Sequence, residues 1–168
     1  MLKNLPFITP ENDFELNLLL TFQVVYFLNS TTRGLNILDI ERLNIYIYFI
    51  KNPHILYRVL IRLGKNSFTL KSYENSSYKS ERNDTETLYD NEKVRYYIQL
   101  LVSNNLINIT YNDKIGFVFY PSEGTEKYIN VDSKYFKRNI ILIEKIKQIN
   151  STSVSKINTA IKSILEER

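Results

Sequence analysis

Leu101-Val102-Ser103-Asn104-Asn105-Leu106-Ile107-Asn108-Ile109-Thr110-Tyr111-Asn112-Asp113-Lys114-Ile115-Gly116-Phe117-Val118-Phe119-Tyr120 is the stretch that decides the fold. The hydrophobic period changes inside it. Upstream, Leu88, Val94, Tyr97, Ile98, Leu101 and Val102 recur at helical spacing, with Lys93, Arg95 and Gln99 on the opposite side and Thr87 or Asp90 placed to cap the start. Ser103-Asn104-Asn105 stops that helix. Leu106 to Tyr111 then alternates as a half-buried strand does, Asn112-Asp113-Lys114 reads as a turn, and Ile115 to Tyr120 is the return strand. Pro121-Ser122-Glu123-Gly124 closes the unit.

The segments on either side read as helices. Asn12 or Asp13 can cap a helix from Phe14 to about Asn29, whose apolar residues run nearly all the way round. A helix of that kind is covered either by the chain's own core or by a partner. After the polar break Asn29–Gly34, a second helix is predicted over Leu35–Ile50, despite the β-prone run Ile45-Tyr46-Ile47-Tyr48-Phe49-Ile50. Pro53 suits the first turn of a third helix, His54 to Leu63, which Gly64 ends. His54 reads as a surface residue at that start. Ser67–Lys71 is a candidate short strand, and about 71–87 is a polar surface loop. Two amphipathic helices follow: one from Asp132 or Ser133 to about Asn150, with Phe136, Ile140, Ile143, Ile146 and Ile149 as its stripe, and one from Val154 to about Leu165.

Composition removes many functions. Among 168 residues there is no Cys and one His. Disulfide frameworks, zinc ribbons, Fe–S clusters, thiol nucleophiles and paired-imidazole sites are therefore excluded. Four glycines leave no phosphate-cradling loop, and no carboxylate pair stands on an apolar helix face. No catalytic, cofactor-binding or metal-binding residues are assigned, and no small-molecule ligand is expected. The longest apolar stretch, Phe14–Leu28, is short of the ~20 residues of a membrane span and carries Glu15. No signal peptide is visible, so a cytoplasmic protein is expected. The thirteen Tyr, with abundant Ile, Asn and Lys, are what an AT-rich genome imposes, and their number alone does not argue for a stacking platform.

The net charge of +4 is local. Residues 134–168 carry eight Lys or Arg against three Glu, whereas residues 1–133 carry fourteen basic and fifteen acidic residues. Phosphate contacts would draw on Lys134, Lys137 and Arg138 at one helix start, on Lys145 lower down, and on Lys114 in the hairpin turn. A solvated polar face explains the same residues, although cations at a helix N-terminus oppose its dipole.

These readings give an α+β, mostly helical fold: residues 1–131 form a helical, winged-helix-like domain with one β-hairpin as the wing, and residues 132–168 form a basic helical pair packed on it or extending from it. Any α+β domain with one hairpin fits the same order. The helix before the hairpin offsets Lys93 and Arg95 with Asp90 and Glu92, which is poor for reading a DNA groove. Protein contact through Phe14, Leu18 and Phe22 of the first helix and Tyr111, Phe117 and Phe119 of the hairpin suits it better. The alternative is a stand-alone winged-helix transcriptional regulator.

The layout also resembles a known family. Pro10-Glu11-Asn12-Asp13-Phe14-Glu15 leads into the apolar helix Leu16–Leu28; a second apolar helix ends in Lys51-Asn52-Pro53; a polar loop, the helix before the wing, the hairpin Leu106–Tyr120 and two amphipathic helices follow. In this order and character the chain is similar to the middle component of bacterial ABC-three-component systems, the Lamassu-type defence operons. That resemblance implies a small non-catalytic adaptor between an SMC-like coiled-coil ATPase and an effector, often a nuclease, acting against phage or plasmids, with double-stranded DNA touched at an edge or indirectly.

Overall fold

The computed structural model describes residues 13–31, 33–75, 91–129 and 132–167. The expected caps at Asn12, Thr87 and Asp90, and most of the polar loop, lie outside them. Among the described residues the chain is mostly helical with a single two-stranded antiparallel sheet.

Helix α1 (Phe14–Leu28) is capped by Asp13, whose Oδ1 accepts from the Leu16 N–H at 3.0 Å. It packs against α2 (Ile40–Lys51), α5 (Asn91–Ser103), β2 (Gly116–Pro121) and α6 (Lys134–Lys147). Contacts with so many neighbours explain its apolar circumference: Leu20, Phe22, Val24, Val25 and Leu28 are all buried.

The second helix begins later than the sequence suggests. Asp39, not a residue near Leu35, is its cap, with Oδ1 accepting from the Arg42 N–H at 2.8 Å. Ser30 instead bridges antiparallel to Asn36, and the Leu38 carbonyl accepts from the Phe119 N–H at 2.9 Å. The preceding segment thereby adds one rung beside the hairpin. All eight residues from Leu43 to Ile50 are buried, and this burial on every side overrides their strand preference.

Helix α3 (Pro53–Arg62) starts on Pro53. It ends in a Schellman motif, with the Lys65 N–H on the Leu60 carbonyl and the Gly64 N–H on that of Ile61; Gly64 supplies the positive φ of 64°. The expected strand at Ser67–Lys71 does not form. Lys145 and Arg138 of α6 and its C-cap residue Gln148 satisfy the backbone there, at Ser67, Thr69 and Asn66. A single helical turn, α4 (Ser72–Asn75), follows.

Helix α5 ends in a second Schellman motif. Asn105, at φ 55°, takes the left-handed position that a short amide side chain tolerates, and the chain turns directly into β1 (Ile107–Asn112). Ile107 faces Pro121, Ile109 faces Phe119 and Tyr111 faces Phe117 in the β1–β2 register. A short 3₁₀ turn, Glu126–Tyr128, leads to α6, which Ser133 caps through its Oγ on the Phe136 N–H. Helix α7 (Val154–Glu166) packs on α3, where Arg58 and Arg62 both pair with Glu167. Both C-terminal helices enter the same core as α1, α2 and α5, through Ile143, Ile146, Ile157 and Ile161.

One polar network ties these layers together. Arg42 of α2 donates to the Asn150 and Thr152 carbonyls and to the Tyr46 hydroxyl; that hydroxyl donates to Asn150 Oδ1 at 2.8 Å; Asn150 Nδ2 donates to the Ser30 carbonyl. Tyr46 is fully buried, and burial raises its phenol above the ordinary value despite the Arg42 guanidinium beside it. Tyr46→Phe strips a buried Asn150 oxygen of this donor and is expected to cost about 1–3 kcal/mol. Urea unfolding should show a lower midpoint at unchanged slope.

Candidate interaction surfaces

The hairpin faces of an antiparallel pair alternate, so Ile107, Ile109 and Tyr111 share one face with Phe117 and Phe119. Burial grades along that face from root to tip. Ile107 and Phe119 are in the core, whereas Tyr111 and Phe117 are 64% and 63% exposed, with Ile109 and Ile115 also exposed. The Tyr111 and Phe117 rings meet edge to face, with centroids 5.3 Å apart. Two large aromatics held against each other in water are unusual for a residue pair whose full burial is worth roughly 1.5–3 kcal/mol apiece.

A second aromatic group stands at the start of α1. Phe14 is 44% exposed and lies 5.6 Å from the Tyr97 ring and 6.1 Å from the Tyr96 ring of α5. Leu18, one turn on, is half-buried and packs on the core. Two of the six expected contact residues are corrected by the structure. Phe22 is 2% exposed and Phe119 is 5% exposed. Phe22 is enclosed because α1 is surrounded, and Phe119 because its strand end is anchored to Leu38.

The five expected phosphate-contacting cations have different fates. Lys114 is exposed in the hairpin turn, where its N–H donates to Asn112 Oδ1. Lys137 is exposed on α6. Lys145 donates to the Ser67 carbonyl at 3.1 Å. Arg138 is engaged inside the chain: Nε and Nη2 grip the two oxygens of Glu74 at 2.7 and 2.5 Å, Nη2 also reaches the Thr69 carbonyl, and the guanidinium lies over the Phe68 ring. Lys134 and Arg138 line one cavity between α6, α1, α4 and the α2–α3 junction.

The Glu74–Arg138 pair is nearly dry, with side chains 5% and 12% exposed. Burial alone pushes the Glu74 carboxyl up. The Arg138 hydrogen bonds, the Lys71 N–H on Oε2 and the charges of Arg138 and Lys71 together outweigh burial and hold it below its ordinary value. No sequence reading singled out Glu74, which is 64 residues from its partner. His54 is half-buried rather than on the surface; burial and, second, the Arg58 charge lower its pKa.

Among the described residues no group of three or more His, Asp or Glu could hold a metal ion. No described helix is long and apolar enough to cross a membrane. A family model described as ABC-three component (ABC-3C) system Middle Component 4 matches residues 28–159, most of the chain. No curated protein and no solved structure matches.

Proposed function

The chain belongs to the Middle Component 4 family of ABC-three component systems, and from that premise we propose that it is a non-catalytic adaptor, holding an SMC-like ATPase and an effector in one defence complex of the Lamassu kind. The observation that carries this reading is the hairpin tip. Tyr111 and Phe117 are paired and exposed on a body whose own core is already closed by α1, α2, α5, α6 and α7. Aromatic side chains presented in this way are the usual anchors of protein interfaces. The Phe14–Tyr96–Tyr97 group is the second contact in this reading. The winged-helix comparison draws support from the Leu38 rung, the α5–hairpin junction and the register of the hairpin.

A stand-alone DNA-binding regulator has less support, since Arg138 and Lys145 are engaged within the chain. Lys134 and Lys137 are the contacts through which a DNA-adjacent edge of the adaptor would act. Expression from the native operon with a tag on this chain tests the proposal. The expected result is co-purification with the other components at fixed stoichiometry; a chain that elutes alone as a monomer, with the other components present and soluble, overturns it.

A further inference from the structure

Residues 65–71 form no regular secondary structure, yet the stretch is tied down at both ends. At its start the Asn66 N–H donates to the Gln148 amide oxygen, the Gln148 amide donates back to the Asn66 carbonyl, and Lys145 donates to the Ser67 carbonyl. Further on, Arg138 holds the Thr69 carbonyl and the Glu74 carboxylate. Between these ties Phe68 packs inward, its ring edge to face with that of Tyr57 on α3, centroids 5.9 Å apart. Residues 66–75 thus form a strap laid across α3 and α6.

His54 stands between the strap and the helices. It lines two cavities, one shared with Ser67, Phe68 and Thr69 and one shared with Lys71 and Glu74. Its Nε2 is sealed from solvent and has no hydrogen-bond partner. Neutral, the ring leaves one polar atom unpaired; protonated, it would leave a charged donor unpaired, at a far larger cost. Arg58, one turn along α3, lines the first cavity, so an imidazolium would also meet a like charge. The other described charged or titratable groups facing the two cavities are Tyr57 of α3, Lys51 of α2, Lys71, Tyr73 and Glu74 of the strap, and Lys134, Tyr135 and Arg138 of α6. Glu74 is committed to Arg138 and to the Lys71 N–H, Lys51 is itself engaged, and α1 contributes the neutral Asn17.

We propose that His54 is a pH-sensitive latch: neutral, it lets residues 66–75 close over α3 and α6, and on protonation it lifts them. Hydrating the imidazolium means opening its cover, and the strap is the part of that cover without a regular backbone ladder of its own. Burial and, second, the Arg58 charge lower the His54 pKa, as a closed form that disfavours the proton requires. The sign follows. The closed strap is fully stable above the ordinary value of 6.5 and loses stability as pH falls below it, down to the lower closed-state pKa. The Glu74–Arg138 pair weakens only below 4.5, so the two effects occupy separate windows. The latch makes no use of the hairpin tip or the Phe14 group and is independent of the adaptor reading.

Amide exchange on the full chain, corrected for intrinsic rates, is the test. From about pH 7.5 to about pH 5.5, protection at Asn66, Lys71 and Glu74 should fall at least about threefold. Their N–H groups rest on Gln148 Oε1, Glu74 Oε2 and the Lys71 carbonyl, so they report the strap directly. Protection at Phe119, whose N–H rests on the Leu38 carbonyl, should hold. His54 is the chain's sole histidine, so its NMR titration is unambiguous and should give a midpoint below 6.5. His54→Phe and His54→Gln cannot take up the proton, and in each the strap's protection should stay flat over the same range. Four results overturn the proposal: flat protection in the wild type, a fall that persists in both variants, an equal fall at Phe119, or a His54 midpoint at or above its ordinary value. The first, third and fourth need no variant, so a substitution that fails to fold does not shield it.

Discussion

Glu74→Gln is expected to lower the thermal midpoint by about 6–12 °C, the counterpart of about 3 kcal/mol for a chain of this size. The substitution keeps the side chain's shape and removes its charge, leaving Arg138 with no counter-ion in a nearly dry position. The low end of the usual 3–5 kcal/mol for a broken buried pair applies, because Arg138 keeps the Thr69 carbonyl and the Phe68 ring. Amide exchange at Lys71, whose N–H rests on Glu74 Oε2, should accelerate with it. The double variant Glu74→Leu with Arg138→Met should recover most of the loss, since removing both charges leaves no uncompensated ion. A double variant as unstable as the single would show that packing of α4, not the ion pair, is what matters. The same pair sets a pH dependence. The folded carboxyl lies below its ordinary value of 4.5, so its stabilisation is complete above that value and is lost as pH falls through the lower, folded-state pKa. Wild-type stability should therefore drop more steeply below pH 4.5 than that of the Leu–Met double variant.

Local chemistry made part of this fold legible. Asp13 and Ser133 are side chains that seek the N–H groups of a helix start, and each, one of two candidates at its position, caps the helix that follows it. Asn105 before an alternating run announces a helix that ends by turning into a strand, and β1 and β2 fall within a residue of their expected limits. What the sequence left open depends on partners far along the chain. Leu35 belongs to the pattern of α2 but sits exposed on a loop, because Leu38 is drawn to β2 some eighty residues later. Ser67–Lys71 alternates like a strand, yet Lys145 and Arg138 of α6 take its Ser67 and Thr69 carbonyls. Arg42 is 108 residues before Asn150, and only the folded chain brings the Asn150 and Thr152 carbonyls to it. The same limit governs the surfaces. Periodicity placed Phe117 and Phe119 on one face but could not say that one lies at the exposed tip and the other at the buried root. The family assignment likewise rests on a match that spans residues 28–159, not on any single residue.

The largest functional effect is expected at that tip. Tyr111→Ala combined with Phe117→Ala should weaken binding to the partner component by at least about a hundredfold. Buried aromatic anchors commonly cost 2 kcal/mol or more on truncation, and two in contact are not additive. The cost to the chain itself should be small, because the pair is solvent-exposed and its mutual contact is worth about 0.5–1.5 kcal/mol. Two comparisons make the outcome specific. Phe119→Ala, on the same face but at the root, should destabilise the fold by about 3–5 kcal/mol and impair binding only as far as it unfolds the chain. Lys114→Ala, an exposed charge beside the tip, should slow association and flatten its salt dependence while leaving dissociation nearly unchanged. Surface plasmon resonance separates these rates, and thermal melts of each variant separate folding from recognition. If the tip variant binds as the wild type does, the anchor lies elsewhere, and Phe14→Ala becomes the discriminating measurement: Phe14 stands on α1 beside Tyr96 and Tyr97 of α5, so a loss there with an intact hairpin would move the partner to the α1–α5 end of the molecule.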